Sequence, residues 1–209
     1  PGLTARFSGR WPGVVAGHYT RKVLVIDLVQ LARKAGARLV MGYATGIDRD
    51  RRRVQVEGAP DIAFDVASVD VGITSAMPDL PGFSEHGIPA KPLGQFAKRW
   101  EGYLDTTGPA NVAILGSGVA GAELALAMAH RLRATGRETR IHVIDRSKAF
   151  TAIGAAAAGR LRAAFARYKI TLIETATPAR ITASGVILDT GKKINADFVT
   201  GAAGAKPHD

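Results

Sequence analysis

Three glycines, Gly116, Gly118 and Gly121, stand in the spacing G-x-G-x-x-G inside "VAILGSGVAGAEL", Val112 to Leu124. The apolar run before them reads as a strand, and the Ala- and Leu-rich run after them as the start of a helix. Each glycine has a mechanical task in such a turn. Gly116 permits the tight bend, Gly118 lets a pyrophosphate approach the backbone, and Gly121 lets the helix pack closely on the strand. The N–H groups of Gly116, Ser117, Gly118, Val119, Ala120 and Gly121, together with the helix dipole, would hold phosphates. A second strand, "TRIHVID", ends in an acid, Asp145, at roughly the 20-residue spacing that a ribose-binding carboxylate takes. Asp145 would accept hydrogen bonds from the adenosine ribose and repel a 2′-phosphate, which favours NAD(H) over NADP(H). Arg146 beside it pulls the other way, because an arginine can accommodate that phosphate. Glu123 falls in the first helical turn, where a negative charge is favourable on electrostatic grounds alone.

These residues need elements to hold them. "NVAIL", "TRIHVID" and "ITLIE" read as strands. The helices between them run from Val119 to Thr135 and through "IGAAAAGRLRAAFARYK". The result is a β-α-β-α-β unit. A small meander with the turns "ASG" and "DTGK" follows it. Ahead of it, "LGQFAKRWEGYL" is an amphipathic helix with Phe96, Trp100, Tyr103 and Leu104 near one face. Further upstream, "VLVIDLVQLARKAGA" is a short apolar run followed by a helix. "RLVMGYATGID" reads as a strand returning through "VQVEG", and "IAFDVASVDVG" is another apolar, β-branched run. The Pro- and Gly-rich "ITSAMPDLPGFSEHGIPAKP" reads as a domain crossing.

Composition narrows the chemistry. With 46% hydrophobic and 22% charged residues in 209, the chain is globular, with room for a core. It has no cysteine, which removes structural disulfides, thiolate metal sites and redox dithiols within these residues. No apolar run reaches membrane-span length and no signal peptide opens the chain, so a cytoplasmic location is expected. The net charge of +10 suits polyanions. The arginines are nevertheless scattered over helix faces. The dense run Arg49 to Arg53 has no interleaved aromatic, so a nucleic-acid platform is unsupported. The five histidines, His18, His86, His130, His142 and His208, have no metal-like spacing, and no other catalytic motif occurs.

The segments "FSGRWPGVVAGHYT", "VIDL", "GARLV", "FDVASVDVGITSAMPDLPG", "IPAKP" and "VAILGSGVAGAELALA" together resemble the two-dinucleotide flavoproteins, the pyridine nucleotide–disulfide oxidoreductases. Within them the chain looks closest to the type II NADH dehydrogenase-like branch, and most of all to the flavoprotein domain fused to selenide, water dikinase. The resemblance implies an α/β fold: a Rossmann-like NAD-binding domain, parallel sheet plus meander, preceded by an FAD-binding domain of the glutathione-reductase type. It places the FAD part at 1–90 and the NAD part with its return segment at 91–209. It further implies an internal fragment that lacks the first, FAD-gripping glycine loop and is itself expected to be inactive. The parent would be an FAD-dependent NAD(P)H oxidoreductase passing hydride from nicotinamide to flavin and on to an unknown electron acceptor.

Carried over segment by segment, the resemblance puts Ser8, Gly9, Pro12 and Gly13 near the flavin ring or ribityl chain. Ala44 would lie by the adenine, and Gly72 and Ile73 by the FAD phosphates. Gly201 and Ala202 would lie on the nicotinamide side of the NAD cleft, with Glu123 as the catalytic-vicinity residue. The expected partners are a nicotinamide dinucleotide and the acceptor, without nucleic acid; membrane contact is not encoded in this segment, and a homodimer is open to it. Two departures matter. No cysteine pair is present for dithiol chemistry, and the membrane-binding region of type II NADH dehydrogenases would lie beyond Asp209. The alternative reading is a non-catalytic NAD-binding regulatory module.

Overall fold

The computed structural model describes residues 3–75 and 79–206. In chain order it begins with β1 (Thr4–Arg6), α1 (Trp11–Val15), β2 (Val25–Asp27), α2 (Leu28–Lys34), β3 (Ala44–Asp48), β4 (Arg53–Val56) and β5 (Ile62–Ala63). There follow β6 (Thr74–Ser75), α3 (Phe83–His86), β7 (Gly87–Pro89), α4 (Leu93–Leu104), β8 (Ala110–Leu115), α5 (Val119–Ala134) and β9 (Thr139–Ile144). The chain ends with α6 (Ala155–Tyr168), β10 (Ile170–Ile173), β11 (Pro178–Thr182), β12 (Gly185–Leu188), β13 (Lys193–Asn195), β14 (Phe198–Gly201) and β15 (Ala205–Lys206). The chain divides into two compact units. The smaller comprises Pro1–Ser8 and Arg21–Val71; the larger comprises Gly9–Thr20 and Gly72–Asp209.

The larger unit is built on a five-stranded parallel sheet in the order β10-β9-β8-β14-β7. The sequential strands β8, β9 and β10 move outward in one direction, and the chain then returns to place β14 on the other side of β8. Strand order therefore reverses between β8 and β14, the place where open α/β sheets form a ligand crevice. Period-two alternation sets the two faces of this sheet. Ala113, Leu115, Ile144 and Val199 face one way and form a core with Val186, Leu188 and Ile194 of the antiparallel β11-β12-β13 meander. On the opposite face Phe198 meets Phe96, Trp100 and Tyr103 of α4, with ring centroids 5.9, 5.5 and 5.0 Å away. That is the helix face expected from the spacing of its aromatics. Trp11 of α1 packs edge-on against Phe96, and the Trp100 indole N–H donates to the Val15 carbonyl at 3.1 Å. These contacts hold the "GRWPG" turn, Gly9 to Gly13, in this unit.

The smaller unit has two short sheets. One is the antiparallel pair β1-β2; the other is the meander β3-β4-β5. Asp27 caps α2 by accepting from the N–H groups of Val29 and Gln30, as a carboxylate at a helix N-terminus does. The sequence of Arg38 to Asp48 reads as one strand, but only Ala44–Asp48 forms one. Residues 38–43 and 64–72 carry no strand.

Candidate functional site

The glycine loop closes over the C-terminal end of β8. Gly116 takes φ +102°, a left-handed conformation that L side chains rarely adopt, and an added Cβ would lie 2.8 Å from the Ala203 Cβ. Gly121 is excluded from carrying a side chain for another reason: a Cβ there would run into the Gly116 carbonyl. A Cβ at Gly118 would meet no atom within 4 Å, so space lies open beside the loop at this point. Gly118 is also the N-cap of α5 and supplies no side-chain hydrogen bond to it. The first N–H groups of a 16-residue helix are left available beside open space, which fits a phosphate-bearing ligand.

A cleft of about 520 Å³ opens here, with Leu115, Gly116 and Gly118 on one side and Ala202, Ala203 and Gly204 after β14 on the other. Ile144, Asp145 and Arg146 from the end of β9 line it too, as do Asp79, Leu80, Thr177 and Pro178. The order reversal between β8 and β14 thus brings Gly116, Gly118, Asp145, Arg146 and Ala202 into one crevice. Other sequence-chosen residues stand differently. Gly201 is buried at the end of β14, where its carbonyl accepts from Ala90. Gly121 serves packing. Val119 and Ala120 are exposed at the start of α5, and Val119 lines a smaller pocket of about 150 Å³ with Ser117, Gly118, Asp145 and Ser147. Sequence reading missed Asp79, Leu80, Thr177 and Pro178 because they come from segments far away in the chain. It also missed Ser147, which carries no motif.

Asp145 is fixed by hydrogen bonds. One carboxylate oxygen accepts from Ser117 N–H at 2.7 Å and Ser117 Oγ at 2.6 Å. The other accepts from Ser147 N–H and Oγ, each at 2.9 Å. Burial acts to raise the Asp145 pKa, but the hydrogen bonds from the two serines outweigh it and hold the carboxyl below its ordinary range. The loop after Asp145 is tied in turn by Glu174. Its carboxylate accepts from Ala149 N–H at 2.7 Å and from Arg162, and the guanidinium first, then the amide, keeps its pKa low. His142, in β9, is pushed down by burial and by the nearby Arg140 and Lys192, so it resists taking a charge.

A second pocket of about 490 Å³ gathers residues chosen by sequence at two distant places. Gly9, Pro12 and Gly13 of the α1 turn line it together with Glu123 of α5. His18 and His130 line the same pocket, with ring centroids 4.9 Å apart and ring planes tilted by 51°. Gly13 has a packing reason of its own, since a Cβ would strike the Tyr19 ring. Gly72 takes φ +74°, and Ile73 beside it is exposed. Ser8 lies in the 3-10 turn before α1, and Ala44 opens β3; both belong to the smaller unit. His208 and residues 76–78 of the crossing segment lie outside the described residues. Among the described residues no group of acidic or histidine side chains could hold a metal ion, and no helix is long and apolar enough to cross a membrane.

A Rossmann-like sheet with its crevice at the order reversal and a glycine loop under it defines a dinucleotide-binding α/β protein. Residues 12–209 match the pyridine nucleotide-disulphide oxidoreductase family, and the chain belongs to that family. Membership implies binding of FAD and NAD(H). The curated demethylphylloquinone reductase NdbB of Synechocystis sp. is 30% identical over 134 residues, which is 60% of this chain and 32% of that protein. The chain therefore spans about a third of the length of this relative. Among solved structures, NDH2 of Plasmodium falciparum in complex with NADH superposes with TM-score 0.79 at 14% identity, covering 100% of this chain and 50% of NDH2. The sulfide:quinone oxidoreductase of Aquifex aeolicus gives 0.78 at 18%, covering 96% and 50%. At 14% and 18% identity, these two likenesses are likenesses of fold.

Proposed function

We propose that this chain carries the nicotinamide dinucleotide site and part of the flavin site of an FAD-dependent NAD(P)H oxidoreductase. The observation that carries the reading is the crevice between β8 and β14, where an open glycine loop, an uncapped helix start and an ionised Asp145 converge. Gly118, Val119 and Ala120 would cradle the pyrophosphate, while Gly116 and Ser117, whose N–H groups donate to the Ile144 carbonyl and to Asp145, shape the turn that presents them. Gly121 keeps α5 close enough to the loop to aim its N–H groups there. Asp145 would receive the adenosine ribose, with Arg146 beside it. Gly201 and Ala202 would back the nicotinamide end.

When bound together, nicotinamide and flavin supply the hydride chemistry themselves, and the protein contributes orientation and electrostatics. The pocket that joins Gly9, Pro12 and Gly13 to Glu123 supports the assignment of these residues to the flavin and nicotinamide vicinity. Ser8, Ala44, Gly72 and Ile73 complete the proposed flavin contacts. The curated relative's name, a demethylphylloquinone reductase, supports a quinone-class acceptor for the whole protein. The test is anaerobic. The purified chain is loaded with FAD, freed of excess, and its visible spectrum recorded before and after NADH. NADH binding is the expected result, and retained flavin that bleaches would show that these residues hold enough of the flavin site for hydride transfer. NADH binding without retained flavin would leave hydride transfer to a longer parent protein, and binding of neither would overturn the reading.

A further inference from the structure

The pocket that Glu123 shares with the α1 turn has a second end. His130 stands on the same face of α5, two turns further on and about 10 Å along the axis. There four rings follow one another. Tyr19 lies beside His18 at 6.3 Å between centroids, His18 beside His130 at 4.9 Å, and His130 beside Tyr168 at 6.5 Å. All four line the pocket, and all belong to the larger unit. Ala16, Leu126, Ala127 and Ala164 line it as well, so the aromatic wall faces small, apolar neighbours. Such a space suits a flat ring. The polar groups at this end are donors in excess. Tyr168 Oη meets His130 Nδ1 at 3.3 Å, and the Tyr168 ring is held by the guanidiniums of Arg133 and Arg167, 4.6 and 5.3 Å from its centroid. Arg10 and Arg167 both line the pocket, and neither has an acidic partner among the described residues. The ring nitrogens of His18 likewise have no hydrogen-bond partner among them.

We propose that this end of the pocket binds an aromatic carboxylate, with its ring against His18 and His130 and its carboxylate toward Arg167 and the Tyr168 hydroxyl. Charge selects the head group. Two guanidiniums line the pocket against a single carboxylate, Glu123, so one positive charge is left over with the imidazoles neutral. That surplus matches a monoanion. A guanidinium also takes a carboxylate through two parallel hydrogen bonds, which fixes the plane of the ring attached to it. The volume of about 490 Å³ has room for a two-ring ligand. The proposal goes beyond the oxidoreductase reading, which uses only the Glu123 end of this pocket, and it does not depend on a dinucleotide being bound.

The test titrates the 209-residue chain with naphthoate, a planar two-ring carboxylate, and with its neutral carboxamide. Calorimetry should show saturable binding of the carboxylate, tighter than the carboxamide by about 10-fold or more. Arg167→Gln should remove most of that advantage. Tyr168→Phe, which loses only a hydroxyl, should weaken the carboxylate by about 3-fold and guards against misfolding of the first variant. NMR locates the ligand. The imidazole ring-proton signals of His18 and His130 should move with naphthoate, and those of His86 and His142 should stay in place. Equal affinity for carboxylate and carboxamide, or no saturable binding, overturns the proposal. Shifts that spare His18 and His130 overturn it too. Displacement of naphthoate by FAD or NADH would assign the whole pocket to the dinucleotides and also overturn it. If naphthoate binds with these signatures to a chain that takes up neither FAD nor NADH, the carboxylate site stands and the oxidoreductase reading falls.

Discussion

Val112, Ile114 and Val143 in the parallel sheet are fully buried, whereas Val66, Val69 and Val71 in the smaller unit are 90%, 62% and 64% exposed. The two sets are alike in residue type and in β-propensity. They differ in their neighbours. The strands of the parallel sheet lie beside strands that take their N–H and C=O groups, and α4 and the meander pack on its two faces. The runs around Leu39–Tyr43 and Val66–Val71 have no ladder within their unit among the described residues. A β-branched run becomes a strand only when its backbone groups find partners and its side chains find a surface. In the smaller unit that condition is met only locally, in the β1-β2 pair and the β3-β4-β5 meander.

The largest effect should come from the closest backbone approach in the better-packed unit. Gly121→Val places a side chain against the Gly116 carbonyl, with no flexible group able to move aside. It should cost about 3 kcal/mol or more of stability and abolish NADH binding. The matched change in the smaller unit is Gly36→Ala. Gly36 takes φ +63°, yet a Cβ there meets nothing within 4 Å, so backbone conformation alone should cost about 1 kcal/mol. Denaturant unfolding and NADH titration read both. Unaltered NADH affinity in Gly121→Val would break the comparison at its strongest point.

Core truncation gives the next contrast. Phe198 is 2% exposed and touches three aromatic rings of α4, so Phe198→Ala should lose about 3–5 kcal/mol. Val69→Ala in the smaller unit removes side-chain atoms already in water and should stay within about 0.5 kcal/mol of the parent. Thermal melts suffice to compare them, and similar losses for the two would mean that the exposed runs are covered in solution.

Much of the larger unit is legible in the sequence because its signals are local. The glycine spacing, the acid at the end of the second strand, the aromatic face of α4 and the turns of the meander each lie within one short stretch. The rest of the site is not local. Asp79, Thr177 and Pro178 reach the cleft only through the sheet order, which no single stretch encodes. The four-donor ring on Asp145 needs Ser117 and Ser147 to meet across two loops, and serine has no spacing rule that would announce it. In the smaller unit the reading of Arg38 to Asp48 as one strand fails over its first half for the same reason. The pattern shows that these residues suit a strand but not whether one lies beside them.

Acid should act on the larger unit through two tied carboxylates. Asp145 and Glu174 are both held below their ordinary values of 3.8 and 4.5. A carboxyl whose folded pKa is depressed adds stability above its unfolded pKa, and that stability is lost as pH falls through the folded value. Melting temperatures should therefore hold down to about pH 4.5 and decline below it. The decline should be modest, because both groups are partly exposed and screened. Glu174→Gln should start from a lower melting temperature and lose less over the same range. A variant that tracks the parent in parallel down to the lowest pH would show that the Arg162–Glu174 tie adds nothing.

The smallest change in folding stability should come from charging the exposed valines. Val66→Lys and Val69→Lys each put a charged group where the side chain is already mostly in water, so stability should move by no more than about 0.5 kcal/mol. Their effect should appear in self-association instead. Unladdered apolar runs are ready partners for another chain, and lysine is the residue that natural sheet edges use to prevent such pairing. Light scattering at rising protein concentration should show later onset of association in the double variant than in the parent. If the double variant instead unfolds at markedly lower denaturant, the valines are packed against something in solution. The contrast between the two units would then lie in what covers each surface, and no longer in whether it is covered.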